Sequence, residues 1–178
     1  MSTYKSGFVA VVGRPNVGKS TLINALIGQK IAIMSDKPQT TRSRILCILT
    51  EKNAQIIFLD TPGIHKPQDA LGSYMAKATE GALRGVDVVV FVVDVTEKMG
   101  AGERYILAQL AQVHAPVLLA VNKIDRIPRE ESLPVIASYA KAYDFAAIVP
   151  ISAREEENLT GLVDEIKAKL PEGPQYYP

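Results

Sequence analysis

The segment GRPNVGKS, Gly13 to Ser20, stands between an apolar run and a segment of helical spacing. Glycine, four residues, glycine, lysine and serine in that context form a loop that wraps phosphate oxygens. The backbone of Gly13, Arg14, Pro15, Asn16, Val17 and Gly18 makes the cradle. Inward N–H groups form an anion nest, and a helix starting near Lys19 adds its positive end. Lys19 offers a point charge to the outer phosphates, and Ser20, followed by Thr21, offers a hydroxyl to magnesium. A second stretch, DTPGIH from Asp60 to His65, follows another apolar run. Asp60 can face the same magnesium through water, and the Gly63 N–H can meet the outermost phosphate. At the next position a glutamine could orient an attacking water, but Ile64 cannot. His65 is a weak substitute, because water attacking phosphate needs orientation more than deprotonation.

Two more motifs address a base. NKID, Asn122 to Asp125, follows PVLLAV, and SAR, Ser152 to Arg154, follows FAAIVPI. Both fall at carboxyl ends of predicted parallel strands, where open α/β sheets bind ligands. Guanine presents N1–H and an N2 amine side by side, and the Asp125 carboxylate can accept both. The Ala153 N–H can meet the sixth-position oxygen. Asn122 can bridge the loops and reach N7, and the Lys123 stem can lie against the base face. Adenine would leave Asp125 and Ala153 unpaired, so the pattern selects GTP and GDP over adenine nucleotides.

These motifs need a frame. Continuous β-branched runs at FVAVVG, AQIIFLD, DVVVFVVDV, PVLLAVNK and FAAIVPIS are of the kind covered by helices on both faces. Helical spacing is visible in LGSYMAKATEGALRGV, in ERYILAQLAQVH with Ile106, Leu110 and Val113 on one side, and in Leu159, Leu162, Val163, Ile166 and Leu170. SRILCILTEKNAQIIFLD contains two strand-like runs joined by a short polar turn, a hairpin that reverses one strand. The expected fold is an α/β P-loop domain, with a mostly parallel six-stranded sheet, one antiparallel edge strand and helices on both faces.

The 178 residues fit one domain, and 20 Lys and Arg against 19 Asp and Glu give a net charge of +1. That balance provides no bulk attraction to nucleic acid or membrane. Cys47, the single cysteine, excludes an internal disulfide framework and reads as a small buried hydrophobe. No apolar run approaches the ~20 residues of a membrane span, and a cytoplasmic location is expected. PEGPQYYP cannot continue a helix, so 1–170 reads as the GTPase domain and 171–178 as a linker.

With GRPNVGKSTLINALIGQKIAIMSDKPQTTR, DTPGIHKP and LPEGPQYYP in place, the chain resembles the translation-factor-type GTPases. More narrowly, it resembles a bacterial group whose members continue into an RNA-binding KH domain. The resemblance implies a slow GTP-hydrolysing switch in small ribosomal subunit assembly, with 16S rRNA held by the KH domain. It implies a monomer and admits peripheral membrane association. PQTTR, Pro38 to Arg42, matches the first switch, where Thr41, or Thr40 beside it, would bring a hydroxyl to magnesium. Members of this group carry an apolar residue at the position of Ile64, so its presence is compatible with catalysis. Lys19, Thr41 and Asn16 are the catalytic assignments, with Ser20, Thr41 and Asp60 on magnesium. Relatives with an asparagine at the place of Asn16 include potassium-activated GTPases, which makes potassium a candidate cofactor; the alternative is an asparagine that merely closes the turn. Other open readings are another ribosome- or tRNA-modification-associated GTPase of the group, and a module that binds GTP without turnover.

Overall fold

The valine- and isoleucine-rich runs form strands whose alternate residues enter two separate cores. The computed structural model describes residues 4–28, 32–33, 44–60, 83 and 85–177. In chain order the strands are β1 (Lys5–Val12), β2 (Ala32–Ile33), β3 (Arg44–Thr50), β4 (Ala54–Asp60), β5 (Val88–Asp94), β6 (Val117–Asn122) and β7 (Ala147–Pro150). The helices among the described residues are α1 (Lys19–Gly28), α2 (Ala101–Leu110), α3 (Arg129–Ala142) and α4 (Leu159–Lys169). The sheet order is β2-β3-β4-β1-β5-β6-β7. β4, β1, β5, β6 and β7 run parallel, and β3 runs against β4 through the predicted hairpin. These are the six expected strands; the two-residue β2 extends the edge by pairing antiparallel with β3.

Period-two alternation divides the strands between the layers. Val9, Val11, Val88, Val90, Val92 and Leu118 pack with Leu22, Ile23 and Leu26 of α1 and with Leu159, Leu162, Val163 and Ile166 of α4. Ala10, Val12, Val89, Phe91, Val93 and Leu119 face Ile106, Leu107 and Leu110 of α2 and Tyr139 of α3. The predicted apolar stripe of α4 is thus buried throughout, and Ile106 and Leu110 of α2 are fully buried. Cys47 lies in the core, where burial pushes its thiol pKa up to about 12. Of the helix predicted over 71–86, only Leu83, Gly85 and Val86 are described. No helix among the described residues is long and apolar enough to cross a membrane.

Residues 171–177 are extended and hydrogen-bonded to the body. The Ser6 N–H donates to the Pro171 carbonyl (3.2 Å) and the Gly173 N–H to that of Tyr4 (3.0 Å). Fully buried Gln55 clasps the main chain of Tyr177: its Oε1 accepts from the Tyr177 N–H (3.1 Å) and its Nε2 donates to the Tyr177 carbonyl (3.0 Å). The same Nε2 donates to Thr50 Oγ1 at 2.9 Å. Tyr176 packs beside Phe8, with ring centroids 5.3 Å apart. We expect Gln55→Ala to destabilise the fold by about 3 kcal/mol, from lost bonds and a cavity. Urea unfolding measures the loss, and amide exchange at Tyr177 should accelerate in the same variant.

Candidate nucleotide site

The site lies at the carboxyl ends of β1, β4, β5, β6 and β7, with the phosphate loop leaving β1 between its two neighbours. Two glycines are required by close approach. A Cβ on Gly13 would lie 2.6 Å from the Val92 carbonyl oxygen. Gly18 has φ +103°, and a Cβ there would meet the Asn122 amide. Asn16 takes the left-handed conformation at φ 70°. The loop then enters α1, where the Leu22 N–H donates to the Gly18 carbonyl (2.9 Å). Lys19 reaches back across the loop and donates from Nζ to the Gly13 carbonyl (3.0 Å). Burial lowers its pKa against the opposing attraction of Asp60. In front of the loop lies a cavity of about 420 Å³, bordered by Pro15, Asn16, Gly18, Lys19, Ser20 and Thr21 on the loop side.

Asp60 ends β4 and pairs in register with Val11, two residues before the loop. A hydroxyl at Ser20 and a carboxylate at Asp60 flanking one phosphate cradle suit magnesium, a hard cation that takes one or two protein oxygens plus phosphates and water. The donor set therefore fits the ion.

The base side is held by side-chain hydrogen bonds. Asn122, 2% exposed, donates from Nδ2 to the Val17 carbonyl (2.8 Å) and accepts at Oδ1 from the Ala153 N–H (3.0 Å). It bridges the two loops as its sequence position suggests. The Ala153 N–H differs from expectation: it meets Asn122 rather than an open base edge, because the amide oxygen lies in its path. Ser152 Oγ donates to Asp125 Oδ1 (2.7 Å) and accepts from the Glu155 N–H (3.1 Å), fixing the carboxylate beside the second pocket. That pocket, about 110 Å³, is lined by Gly18, Thr21, Asn122, Lys123, Asp125 and Arg154, together with Arg126.

Lys123 is left-handed at φ 69°, uncommon for a non-glycine residue and frequent at functional sites. Its Nζ donates to the Asn16 carbonyl (2.9 Å) and to Asp94 Oδ2 (2.8 Å). Asp94 was not legible as a site residue, although it lies near the end of the run DVVVFVVDV and is the last residue of β5. Its Oδ1 accepts from the Thr96 N–H (2.8 Å) and hydroxyl (2.6 Å). Burial acts to raise its pKa, but the bonds from Lys123 and Thr96 outweigh that and hold the carboxyl below its ordinary value. Glu103 and Arg126 were also missed. Glu103, 5% exposed, receives Arg14 Nη1 at 3.1 Å and caps α2 by accepting from the Gly100 N–H at 2.7 Å. Its signal was an acidic residue three positions after a helix-starting glycine. Arg126 borders both cavities. Thr40, Thr41, Gly63, Ile64 and His65 lie outside the described residues.

Residues 8–123 match the model of a family described as 50S ribosome-binding GTPase, and the chain belongs to that family. Among solved structures it is similar to Era in complex with MgGDPNP and nucleotides 1506–1542 of 16S ribosomal RNA, at 44% identity and TM-score 0.81. It is likewise similar to a single-substitution variant of Aquifex aeolicus Era bound to GDP and aluminium fluoride, at 43% identity and TM-score 0.80. In both, the match covers 98% of this chain and 60% of the Era chain. The FeoB G-domain from Methanococcus jannaschii matches at 27% identity and TM-score 0.62, over 93% of this chain and 97% of that one.

Two outcomes follow from this geometry. Asp125→Asn should weaken GTP by roughly 10³-fold and favour xanthosine triphosphate, whose second-position oxygen accepts from the new amide; competition binding with the two nucleotides measures both. Asp94→Asn should cost about 2 kcal/mol near neutrality, where the charged hydrogen bonds are present. A carboxyl whose folded pKa is depressed stabilises above its unfolded pKa of about 3.9 and loses that contribution as pH falls through the folded value. The gap in urea midpoint between wild type and Asp94→Asn should therefore narrow below about pH 4.

Proposed function

We propose that this chain binds GTP with magnesium and hydrolyses it slowly, as an Era-type switch in assembly of the small ribosomal subunit. The observation that carries the reading is the pair of loops locked by Asn122, which sets a phosphate cradle and a guanine-matched carboxylate side by side at the carboxyl end of the sheet. Magnesium, when bound, neutralises charge on the outer phosphates; Ser20, Asp60 and Thr41 would hold it. Lys19 stays charged beside the outer phosphates, and the loop N–H groups stabilise oxygens on which charge develops. With Ile64 in place of a water-orienting glutamine, catalysis rests on positioning and charge neutralisation, hence a slow rate.

The small subunit is favoured over the large subunit of the family description because the similar Era structure contains 16S rRNA. We place RNA recognition in a KH domain joined through residues 171–178, a reading supported by the near-neutral charge and by the 60% share of the Era chains. A cytoplasmic monomer completes the proposal.

Potassium is proposed at Asn16. The turn there is held by Lys123 on the Asn16 carbonyl, and among the described residues the Asn16 side chain makes no hydrogen bond. A monovalent cation at that side chain would add positive charge near the phosphate bond being broken. Single-turnover phosphate release from bound GTP tests the whole reading. Release should be faster in potassium than in sodium at equal ionic strength, and Asn16→Ala should lose the difference while still binding GDP. Release no faster than in Lys19→Ala would reduce the chain to a binding module.

A further inference from the structure

Away from the nucleotide site, the N-terminal end of α2 and the outer side of α3 enclose a groove of about 470 Å³. Met99, Pro134, Val135 and Ala142 provide its apolar lining, and Lys98, Arg104 and Lys141 stand around it. Among the described residues no carboxylate lines it. This local imbalance contrasts with a chain whose net charge is +1. The acidic residues next to Lys98 and Arg104 in sequence are directed elsewhere: Glu103 is buried against Arg14 and the Gly100 N–H, and the Glu97 carboxylate lies 4.0 Å from Arg14. Lys98, Arg104 and Lys141 take part in no ion pair among the described residues.

We propose that this groove docks a protein partner presenting an acidic amphipathic helix. Its apolar residues would enter between α2 and α3, and its carboxylates would meet the three surrounding cations.

The occupant follows from the lining. A trough between two helices, with an apolar base and a charged rim, accepts an amphipathic helix through anchors on one face. Met99 adapts to differing side chains. A small polar ligand needs convergent fixed donors, yet the Ser138 hydroxyl donates internally to the Val135 carbonyl (2.7 Å). Single-stranded RNA needs aromatic platforms, and among the described residues no aromatic side chain lines the groove. Lys98, Arg104 and Lys141 are exposed and so within reach of a partner's carboxylates, and complementary charge accelerates encounter.

The probes are three fluorescent ligands added to the GDP-loaded chain: a designed helical peptide of leucine and glutamate on opposite faces, the same peptide with lysine for glutamate, and an unstructured RNA oligomer. The acidic peptide should bind saturably with Kd below about 1 mM. Binding should weaken by about tenfold in a Lys98→Ala, Arg104→Ala, Lys141→Ala triple variant. Val135→Asp should weaken it similarly by placing a carboxylate on the apolar lining. GDP affinity should be unchanged in both variants, which checks their folding. The proposal is overturned if the acidic peptide fails to saturate, if the basic peptide binds equally well, or if the triple variant loses RNA binding while retaining the acidic peptide.

Discussion

The side-chain amide of Asn122 donates to Val17 and accepts from Ala153, and the ligand-facing edge of the sheet depends on those two bonds. β1, β6 and β7 each release a loop at the same end, and nothing in a parallel sheet alone makes three loops converge to hydrogen-bonding precision. A buried amide does so because leaving either loop partner unmet costs about 1–3 kcal/mol. Gly18 must be a glycine at this point: any side chain would displace the amide. Lys123 adds a parallel tie from the next residue, and its left-handed backbone aims the ammonium at both the phosphate loop and Asp94. The base pocket and phosphate cradle are therefore one mechanical unit.

A second tie fastens that unit to the opposite layer. Arg14 leaves the phosphate loop to meet Glu103, which also holds the first turn of α2. The approach is close enough that a Cβ at Gly102 would lie 2.7 Å from Arg14 Cδ, so a side chain there would push the guanidinium arm aside. Beneath lies Tyr139, fully enclosed and set edge-on to Phe91 with centroids 6.3 Å apart. Burial, followed by the nearby carboxylate of Glu103, raises its phenol pKa and keeps it neutral. A guanidinium usually found in solvent is thereby anchored between the phosphate loop and a helix cap.

What could be read from the sequence was whatever has a strong local period or a fixed spacing. The strand runs, the α4 stripe and the glycine-lysine-serine loop are of this kind, and each is found where its pattern placed it. α3 was invisible because it buries little beyond Ser132 and Tyr139 and carries Pro134 inside, so it has neither an apolar stripe nor a clean helical composition. Asp94 and Glu103 escaped because their partners, Lys123 and Arg14, are 29 and 89 positions away. Single carboxylates with distant partners have no local signature. The tail carried only the cues of a proline-rich segment, whereas its attachment depends on Gln55, 122 residues earlier in the chain.

That separation bears on the order in which the domain is completed. Chains emerge from synthesis N-terminus first, and β4 exists long before the segment that satisfies its buried glutamine. Until Tyr177 arrives, the Gln55 amide has Thr50 as its hydrogen-bond partner, with the rest of its capacity facing a closing core. Contacts of such long sequence range form late, because loop closure must precede their reward. The sheet can therefore pair internally while the start of β4 remains open to water, and a stretch made 122 residues after Gln55 is the one that seals it.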